Sequence, residues 1–513
     1  MSKKLTSTIA GASLFLALIG VFSRGIGLIR EVVYAGSFGF QKNFDIFLIG
    51  SIIPMTIIGV MFYIAQNYYI PLILKLKDEE NKNIIILNNF IFFILINIAI
   101  AFVLFLSADI ILNFYIQNLK QNDIKIAKDI FNLHLISIPF AAGSSFITSY
   151  LYTEFEYKIP AASQIIFNLA IIGMIAFFNK SMGIYSIPIG FLIGQTIQLS
   201  ILYFFAKDFI NFKKIGNVRL FKLNLAFNSS IIFIILIETL GQIYFIVDRY
   251  FYKVIREGGV AALNYSFMIS QLPIIIFTTA LATAIFPKFS SNIANENTDN
   301  IKKNVNDSIL LNIFVFIPIT FVFYFYGDII ISILLERGQF TSANSAMTFS
   351  VLKYYSIGLF FYGSYGILNK LFYSYGLAKK IFFVTLAALA VKLIGSYILV
   401  KFMREEGLAL STSLSYIFFF ISSIFLTNKI LNVKLKDSSI LLKKFIFQFL
   451  LAVSICLTLN FVNFPDMIYF KIVKMIIFLF SYYLSLYFLK EDSVYYIMDL
   501  LFHVRKNILR FKN

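Results

Sequence analysis

The sequence predicts an all-α integral membrane protein of about 14 transmembrane helices, built as two parallel six-helix lobes followed by two further helices. Three observations carry that prediction. Of 513 residues, 59% are hydrophobic and 14% charged, with a mean hydropathy of +0.83. A chain this apolar cannot cover a water-facing surface with polar groups, so lipid must solvate most of it. Apolar runs of at least ~20 residues, the length that crosses ~30 Å of hydrocarbon, recur along the whole chain. Finally, Lys and Arg concentrate in alternate loops, as the positive-inside rule requires.

The first run, 8–34, follows Met1-Ser-Lys-Lys and lacks a convincing signal-peptidase site, so it reads as a retained helix. The next five runs are 44–72, 84–114, 127–152, 159–178 and 184–206. A basic stretch, Lys207–Lys222, separates them from 228–249, 260–287, 306–325, 344–372, 381–400 and 406–427. The last two runs are 441–463 and 466–489, and the charged end forms a surface tail. The basic clusters Lys207–Lys222, Lys429–Lys444 and Arg505–Lys512 fall after even-numbered helices or at the tail. Both termini are therefore expected in the cytoplasm, which only an even helix count allows. The net charge of +18 is accounted for by these loops, so no nucleic-acid partner is expected. A barrel would show short alternating strands instead. Cys456 is the only cysteine, so no intrachain disulfide can form. Trp is absent, and Tyr68, Tyr69, Tyr482 and Tyr483 are expected to supply an aromatic belt.

A weak internal repeat orders these helices. Arg30 and Arg249, Asp45 and Asn264, Pro54 and Pro273, and Ser137 and Ser356 are all separated by the same length of chain. That length spans six helices, an even number, so the halves should be parallel repeats about an axis along the membrane normal. The expected lobes are 1–215 and 216–432, with helices 13 and 14 in 433–490 and a basic tail at 491–513. Two such lobes can enclose a cavity and rock to open it on either side.

Ionisable residues inside the membrane are few and therefore informative. Helix 1 carries Arg24, Arg30 and Glu31 in Ser23-Arg-Gly-Ile-Gly-Leu-Ile-Arg-Glu31. Arg24 and Glu31 share a face, and Arg30 points elsewhere. Each arginine either lines a cavity or serves structure, Arg24 by snorkelling or by pairing with Glu31. Helix 7 aligns Glu238, Gln242 and Arg249 on one stripe, with Asp248 looking away. Such a stripe either joins helices or lines water. Glu238 lies mid-helix, where a charge costs several kcal/mol, which favours a cavity role or a protonated carboxyl. Asp45 opens helix 2 and is either a helix cap or part of the site. Lys370 in helix 10 either snorkels to the cytoplasmic surface or faces the cavity, and Lys353 is a weaker candidate. His134 reads as a satisfied polar residue rather than a proton relay.

No HExxH, CxxC, Walker loop or GxSxG occurs. Neither an enzyme nor a cofactor is expected. Without an ATP-binding domain, transport work must come from the membrane potential, a gradient of a monovalent cation, or the substrate's own gradient.

Several of these residues resemble a known family. Ser23, Arg24, Gly27, Arg30 and Glu31 are similar to the Ser-Arg-x-x-Gly-x-x-Arg-acidic pattern of the MurJ (MviN) lipid II flippases of the MOP exporter superfamily. Phe38-Gly39, Asp45, Phe47 and Pro54 continue the likeness. The second half adds Gly258-Gly-Val-Ala-Ala-Leu-Asn-Tyr265, Pro273, Ile285-Phe-Pro287, Glu336-Arg-Gly-Gln-Phe340-Thr and Leu371-Phe-Tyr373-Ser. The likeness runs over roughly 8–430 and implies a MOP/MATE-like fold. It also implies a cationic cavity lined by helices 1, 2, 7 and 8, and a lipid-tail groove at helices 13 and 14. The family's essential arginine and aspartate correspond to Arg30 and Asp45, and Arg24 also matches. Two family arginines are replaced, by Ile58 and Met268. The family's helix 2 glutamate has no counterpart.

The function so implied is transport of lipid II, moving its undecaprenyl-pyrophosphate-linked headgroup from the cytoplasmic to the outer leaflet by alternating access. Arg24, Arg30 and Arg249 would grip the pyrophosphate as bidentate forks, and Asp45 would position an arginine or gate the outer side. Glu238 would couple to an ion, with Gln242 and Lys370 completing the site. The expected partners are this lipid-linked glycan and membrane lipids, for a monomer in the bacterial inner membrane. Alternatives are a flippase for another lipid-linked oligosaccharide (O-antigen, capsule or exopolysaccharide repeat), a MATE-type cation antiporter, and a membrane glycosyltransferase. The antiporter would want acidic cavity residues and fewer helices. The transferase would want catalytic carboxylates in an outer loop.

Overall fold

The computed structural model describes residues 25–76, 82–115, 120–207, 229–431, 435–462, 465, 467–491 and 493–494. The described residues are helical throughout, with no strand among them. Helix α1 occupies 25–38. Helix α2 (Lys42–Ile64) continues through a π turn, Ala65–Tyr69, into Ile70–Lys75. Then come α3 (Lys82–Leu106), α4 (Gln121–Thr153), α5 (Lys158–Met182), α6 (Ser186–Ala206) and α7 (Ser229–Tyr250). Helix α8 (Gly259–Pro273) passes through a π turn, Ile274–Thr278, into Thr279–Ala294. Helix α9 is Thr298–Leu335, and α10 is Ser342–Ser356 followed by Leu359–Ser374. The segment Ala378–Leu431 is two helices, α11 (378–403) and α12 (405–431), broken at Arg404. Helices α13 (Leu435–Phe461) and α14 (Ile468–Phe488) complete the order.

Among the described residues, nine helices are long and apolar enough to cross a membrane. Two of those nine, Lys158–Ala206 and Ala378–Leu431, are hairpins rather than rods. Positive φ reverses the chain at Gly183 (φ 54°) in the first and at Arg404 (φ 49°) in the second. The 38 residues of α9 reach well past ~30 Å of hydrocarbon at ~1.5 Å each. Its first turns, with Asp299, Lys302 and Lys303, therefore stand outside the membrane.

The expected run 344–372 is not one helix. Ser356 ends one piece and Leu359 starts the next, and Ser413 Oγ donates to the freed Tyr354 carbonyl at 2.6 Å. A hydroxyl from another helix can satisfy such a carbonyl, which makes a break tolerable within the apolar layer. The expected run 84–114 is likewise interrupted, at Ser107, whose Oγ bonds Val103 O at 2.6 Å.

Packing groups the described residues into two compact units. The first comprises those of Met1–Ala262 with Leu335–Asn344, and the second those of Leu263–Leu334 with Ser345–Asn513. The first has an aromatic core between α2, α3 and α4. There Tyr69 lies 4.5 Å from Phe146 and 5.1 Å from Phe93, centroid to centroid. Lipid is as apolar as a side chain, so close packing of this kind, rather than apolar burial, holds helices together. Each aromatic pair contributes roughly 0.5–1.5 kcal/mol. This corrects the belt assignment: Tyr68, Tyr69 and Tyr482 are core residues. In the second unit, Phe321 of α9 meets Phe449 of α13 at 5.3 Å and Phe478 of α14 at 6.1 Å. Tyr482 donates to Gln448 Oε1 at 2.9 Å, tying α14 to α13, and Lys471 donates to Asp328 of α9 at 3.2 Å.

Candidate functional site

Within the first unit, the end of α1 and the start of α2 form a close backbone seam with the segment 335–340 and the start of α8. Gln339 N–H donates to Gly36 O at 2.8 Å. Gly39 and Gly338 both have positive φ, +52° and +58°. A Cβ on Gly39 would overlap the Gln339 carbonyl, and one on Gly338 would overlap that of Gly36. Only glycine combines that φ with so close an approach. Phe40 covers the seam, edge-on to Phe340 at 5.5 Å, and a Cβ on Gly258 would stand 2.6 Å from its ring.

Asp45 lies beneath this seam and is 0% exposed. It does not cap its own helix; the N-cap position there is Gln41, with no side-chain cap. Instead Asp45 reaches across 213 residues of sequence to accept the Gly258 N–H at 2.8 Å on Oδ2. Its Oδ1 accepts the Ala261 N–H at 2.8 Å. Both donors belong to the N-terminus of α8, which a carboxylate stabilises through hydrogen bonds and the helix dipole. Arg249, only 3% exposed, lies close enough to act electrostatically on Asp45. Asp248 is buried as well. Lys42 pairs with Asp123 beside them. Asp45 is therefore a cap, as one reading of the sequence allowed, but of a different helix.

Arg30 was expected on a different face from the Arg24–Glu31 line. Its side chain bends back, so that Nη2 donates to Glu31 Oε1 at 2.7 Å. Nη1 donates to Asn168 of α5 at 3.1 Å, and the guanidinium carbon lies 5.5 Å from the Tyr34 ring centre. The side chain remains 24% exposed, and its buried Nε has no partner among the described residues. A guanidinium with one unused donor and partial solvent access can still take an anion. Asn168 was not singled out by the sequence, since nothing local distinguishes an amide in α5.

On α7, Glu238 and Gln242 are half-buried. Gln242 packs beside Gly59 of α2, where a Cβ would lie 3.8 Å from Nε2. The predicted stripe thus faces α2 at that point, while Arg249 ends it at the Asp45 cap. Lys370 lies in the second unit with Nζ 5.8 Å from the Phe286 ring centre. Lys353 is against Phe349 at 4.3 Å. His134 is fully buried; Nδ1 bonds Ile130 O at 2.9 Å and Nε2 has no partner among the described residues. Arg24 lies outside the described residues. Lys392, passed over in the sequence inside an apolar run, is a buried ammonium in α11. Its charge in that run was the signal that could have found it. The described residues contain no cluster of His, Cys, Asp or Glu able to hold a metal ion.

Known proteins bear on this arrangement. Residues 35–476 match the family described as lipid II flippase MurJ. A probable lipid II flippase MurJ of Borreliella burgdorferi is 27% identical over 448 residues, which cover 82% of this chain and 84% of the relative. The lipid II flippase MurJ of Thermosipho africanus is 26% identical over 409 residues, covering 79% and 82%. A solved lipid II flippase MurJ in an inward closed conformation superposes with a TM-score of 0.77 at 23% identity, covering 93% of this chain and 99% of that one. An inward-facing multidrug resistance MATE family transporter of the MOP superfamily superposes at 0.65 and 12% identity, covering 81% and 98%. The fold is that of the MOP membrane transporters, and the chain belongs to the MurJ lipid II flippase family.

Proposed function

We propose that this chain is a lipid II flippase of the bacterial inner membrane, carrying the undecaprenyl-pyrophosphate-linked headgroup to the outer leaflet. The observation that carries this reading is the family match across residues 35–476. Hydrocarbon is prohibitive for a pyrophosphate, so the headgroup needs a hydrated path with fixed donors while its tail stays in lipid. Arg30 suits that role, because its guanidinium keeps partial solvent access and pyrophosphate oxygens can compete with Glu31 for Nη2. Arg24, outside the described residues, is its companion in this reading on the strength of the sequence alone. Arg249 neutralises Asp45 rather than gripping cargo.

With both termini cytoplasmic, α1 runs outward and the glycine seam lies at the outer face. The seam and the Asp45 cap are then the outer gate, closed in this state. Opening it exposes two N–H groups and a carboxylate to water, which can hydrate them. The two repeats act as the moving lobes, 1–215 and 216–432, with helices 13 and 14 beside the lipid tail. No cofactor is needed, and the drive is the membrane potential or a cation gradient.

Complementation tests this. In cells depleted of their own lipid II flippase, this chain should restore growth, and Arg30→Ala at equal expression should not. No rescue by well-expressed protein would remove lipid II as cargo. A second reading, another undecaprenyl-pyrophosphate-linked glycan, is favoured by Ile58 and Met268 standing where the family carries arginine. Deletion would then disturb a surface glycan and leave peptidoglycan normal.

A further inference from the structure

Helices α8 and α9 are joined by a tight turn at 295–297, with positive φ (53°) at Glu296. Asn297 fixes the turn from both sides. Its N–H donates to Asn292 O at 2.8 Å, and its Oδ1 accepts the Asn300 N–H at 3.0 Å. The two helices leave an open cavity of about 430 Å³, lined by Pro287, Lys288, Ser291 and Asn292 of α8 and by Asn300 and Asn304 of α9. Lys288, Ser291 and Asn292 stand at i, i+3 and i+4, and Asn300 and Asn304 at i and i+4, so each helix gives one face to the cavity.

The lining is rich in donors: an ammonium, the amide NH₂ groups of the asparagines and a hydroxyl. Among the described residues, none of these side chains makes a hydrogen bond or ion pair of its own. No carboxylate joins them. The acidic residues nearest in sequence, Glu296 and Asp299, are exposed, and Asp299 pairs with Lys302 at 3.9 Å. One positive charge among neutral donors repels a cation and complements an oxyanion with several acceptor oxygens. The cavity also begins where both helices change character. In α8, Ile276, Phe277 and Phe286 are exposed apolar residues, as lipid contact requires, and Pro287-Lys288 follow directly. In α9 the mainly apolar stretch starts at Ile309, beyond Asn304. Such a boundary lies at the level of lipid headgroups. Basic loops alone follow from the positive-inside rule; a cavity faced with amides from two helices does not.

We propose that the α8–α9 hairpin binds a phosphate-bearing anion, for which its position favours the headgroup of an acidic phospholipid as the source. Lys288 Nζ meets the charge, and the amides of Asn292, Asn300 and Asn304 donate to the remaining oxygens. A headgroup seated there ties the two helices together at their membrane boundary. Arg30 belongs to the first unit, whereas this cavity is made of second-unit residues alone, and its assignment does not depend on the cargo.

The test is thermal unfolding of the purified full chain in non-ionic detergent. It is titrated with dioleoylphosphatidylglycerol, with dioleoylphosphatidylcholine, or with sodium phosphate replacing chloride at equal ionic strength. Phosphatidylglycerol should raise the melting temperature saturably, by about 2 °C or more, and phosphatidylcholine should not. Lys288→Gln should weaken half-saturation about tenfold and Asn304→Leu about threefold. Lys303→Gln, an equal loss of charge on α9 outside the cavity, should leave it unchanged. A response to inorganic phosphate as strong as to phosphatidylglycerol supports the anion site and makes free phosphate its source. No response to either overturns the proposal, as does equal stabilisation by phosphatidylcholine. Equal weakening in Lys288→Gln and Lys303→Gln overturns it too, because diffuse surface charge would then account for the binding. Should Lys288→Gln not fold, native mass spectrometry of Asn304→Leu against wild type decides. Loss of a phosphatidylglycerol adduct supports the site, and equal retention overturns it. Because ligand binding is read rather than transport, failure here is distinct from failure of the flippase assignment.

Discussion

Asp45 is the residue on which the outer seam depends most directly. Its two oxygens satisfy two N–H groups at the start of α8, and no water can replace them in a fully buried position. Asp45→Ala should destabilise the purified protein by ~1–3 kcal/mol per orphaned donor, and Asp45→Asn, which keeps one acceptor, by less. Equal melting temperatures for wild type and Asp45→Ala would show that the cap carries no weight. Arg30→Lys is the second residue-level expectation. Lys keeps the charge but loses the fork that spans Glu31 and Asn168, so complementation should fall well below wild type while the protein still folds. Full activity in Arg30→Lys would show that charge alone suffices. Asp45 and Arg30 stood out in the sequence because ionisable groups are rare in apolar runs. Their partners did not, since Gly258, Ala261 and Asn168 come from distant helices and only the folded packing brings them close.

At the scale of elements, the glycine seam makes a sharp expectation. Gly39→Ala adds a Cβ where φ is positive and the Gln339 carbonyl is in the way, at a cost of at least ~1–2 kcal/mol. The seam should loosen. A Phe340→Cys reporter, buried under Phe40, should resist a membrane-impermeant maleimide in the parent and react in the Gly39→Ala background. An unreactive reporter in both would mean that the seam does not guard an opening. Helices α13 and α14 dock through Phe321, so Phe321→Ala should lower stability by roughly 3–5 kcal/mol, read by thermal unfolding. A loss under ~1 kcal/mol would place the docking elsewhere. The helices themselves were legible, because hydropathy and the ~20-residue requirement need no tertiary information. The break at 357–358 was not: Ser356-Ile-Gly-Leu359 is as apolar as its surroundings, and the hydroxyl of Ser413 that relieves it comes from α12. The belt placement of Tyr68, Tyr69 and Tyr482 failed for the same reason. Nearness to a helix end says nothing about whether a ring meets lipid or another helix.

At the scale of the whole molecule, composition and charge pattern led to a polytopic membrane protein, and ordered motifs led to the family. Neither line reaches the cargo, because the headgroup contacts depend on side chains whose rotamers only tertiary packing sets. Arg30 illustrates this: helical geometry put it apart from Glu31, and the folded chain turns it back onto that neighbour. The most direct measurement of the central claim is the leaflet distribution of lipid II in cells whose own flippase has been removed. With this chain expressed, lipid II should become accessible to an outside probe at near-normal levels, and Arg30→Ala should leave it in the inner leaflet. If lipid II stays inside despite folded, membrane-inserted wild-type protein, or if Arg30→Ala exports it equally well, the account is contradicted.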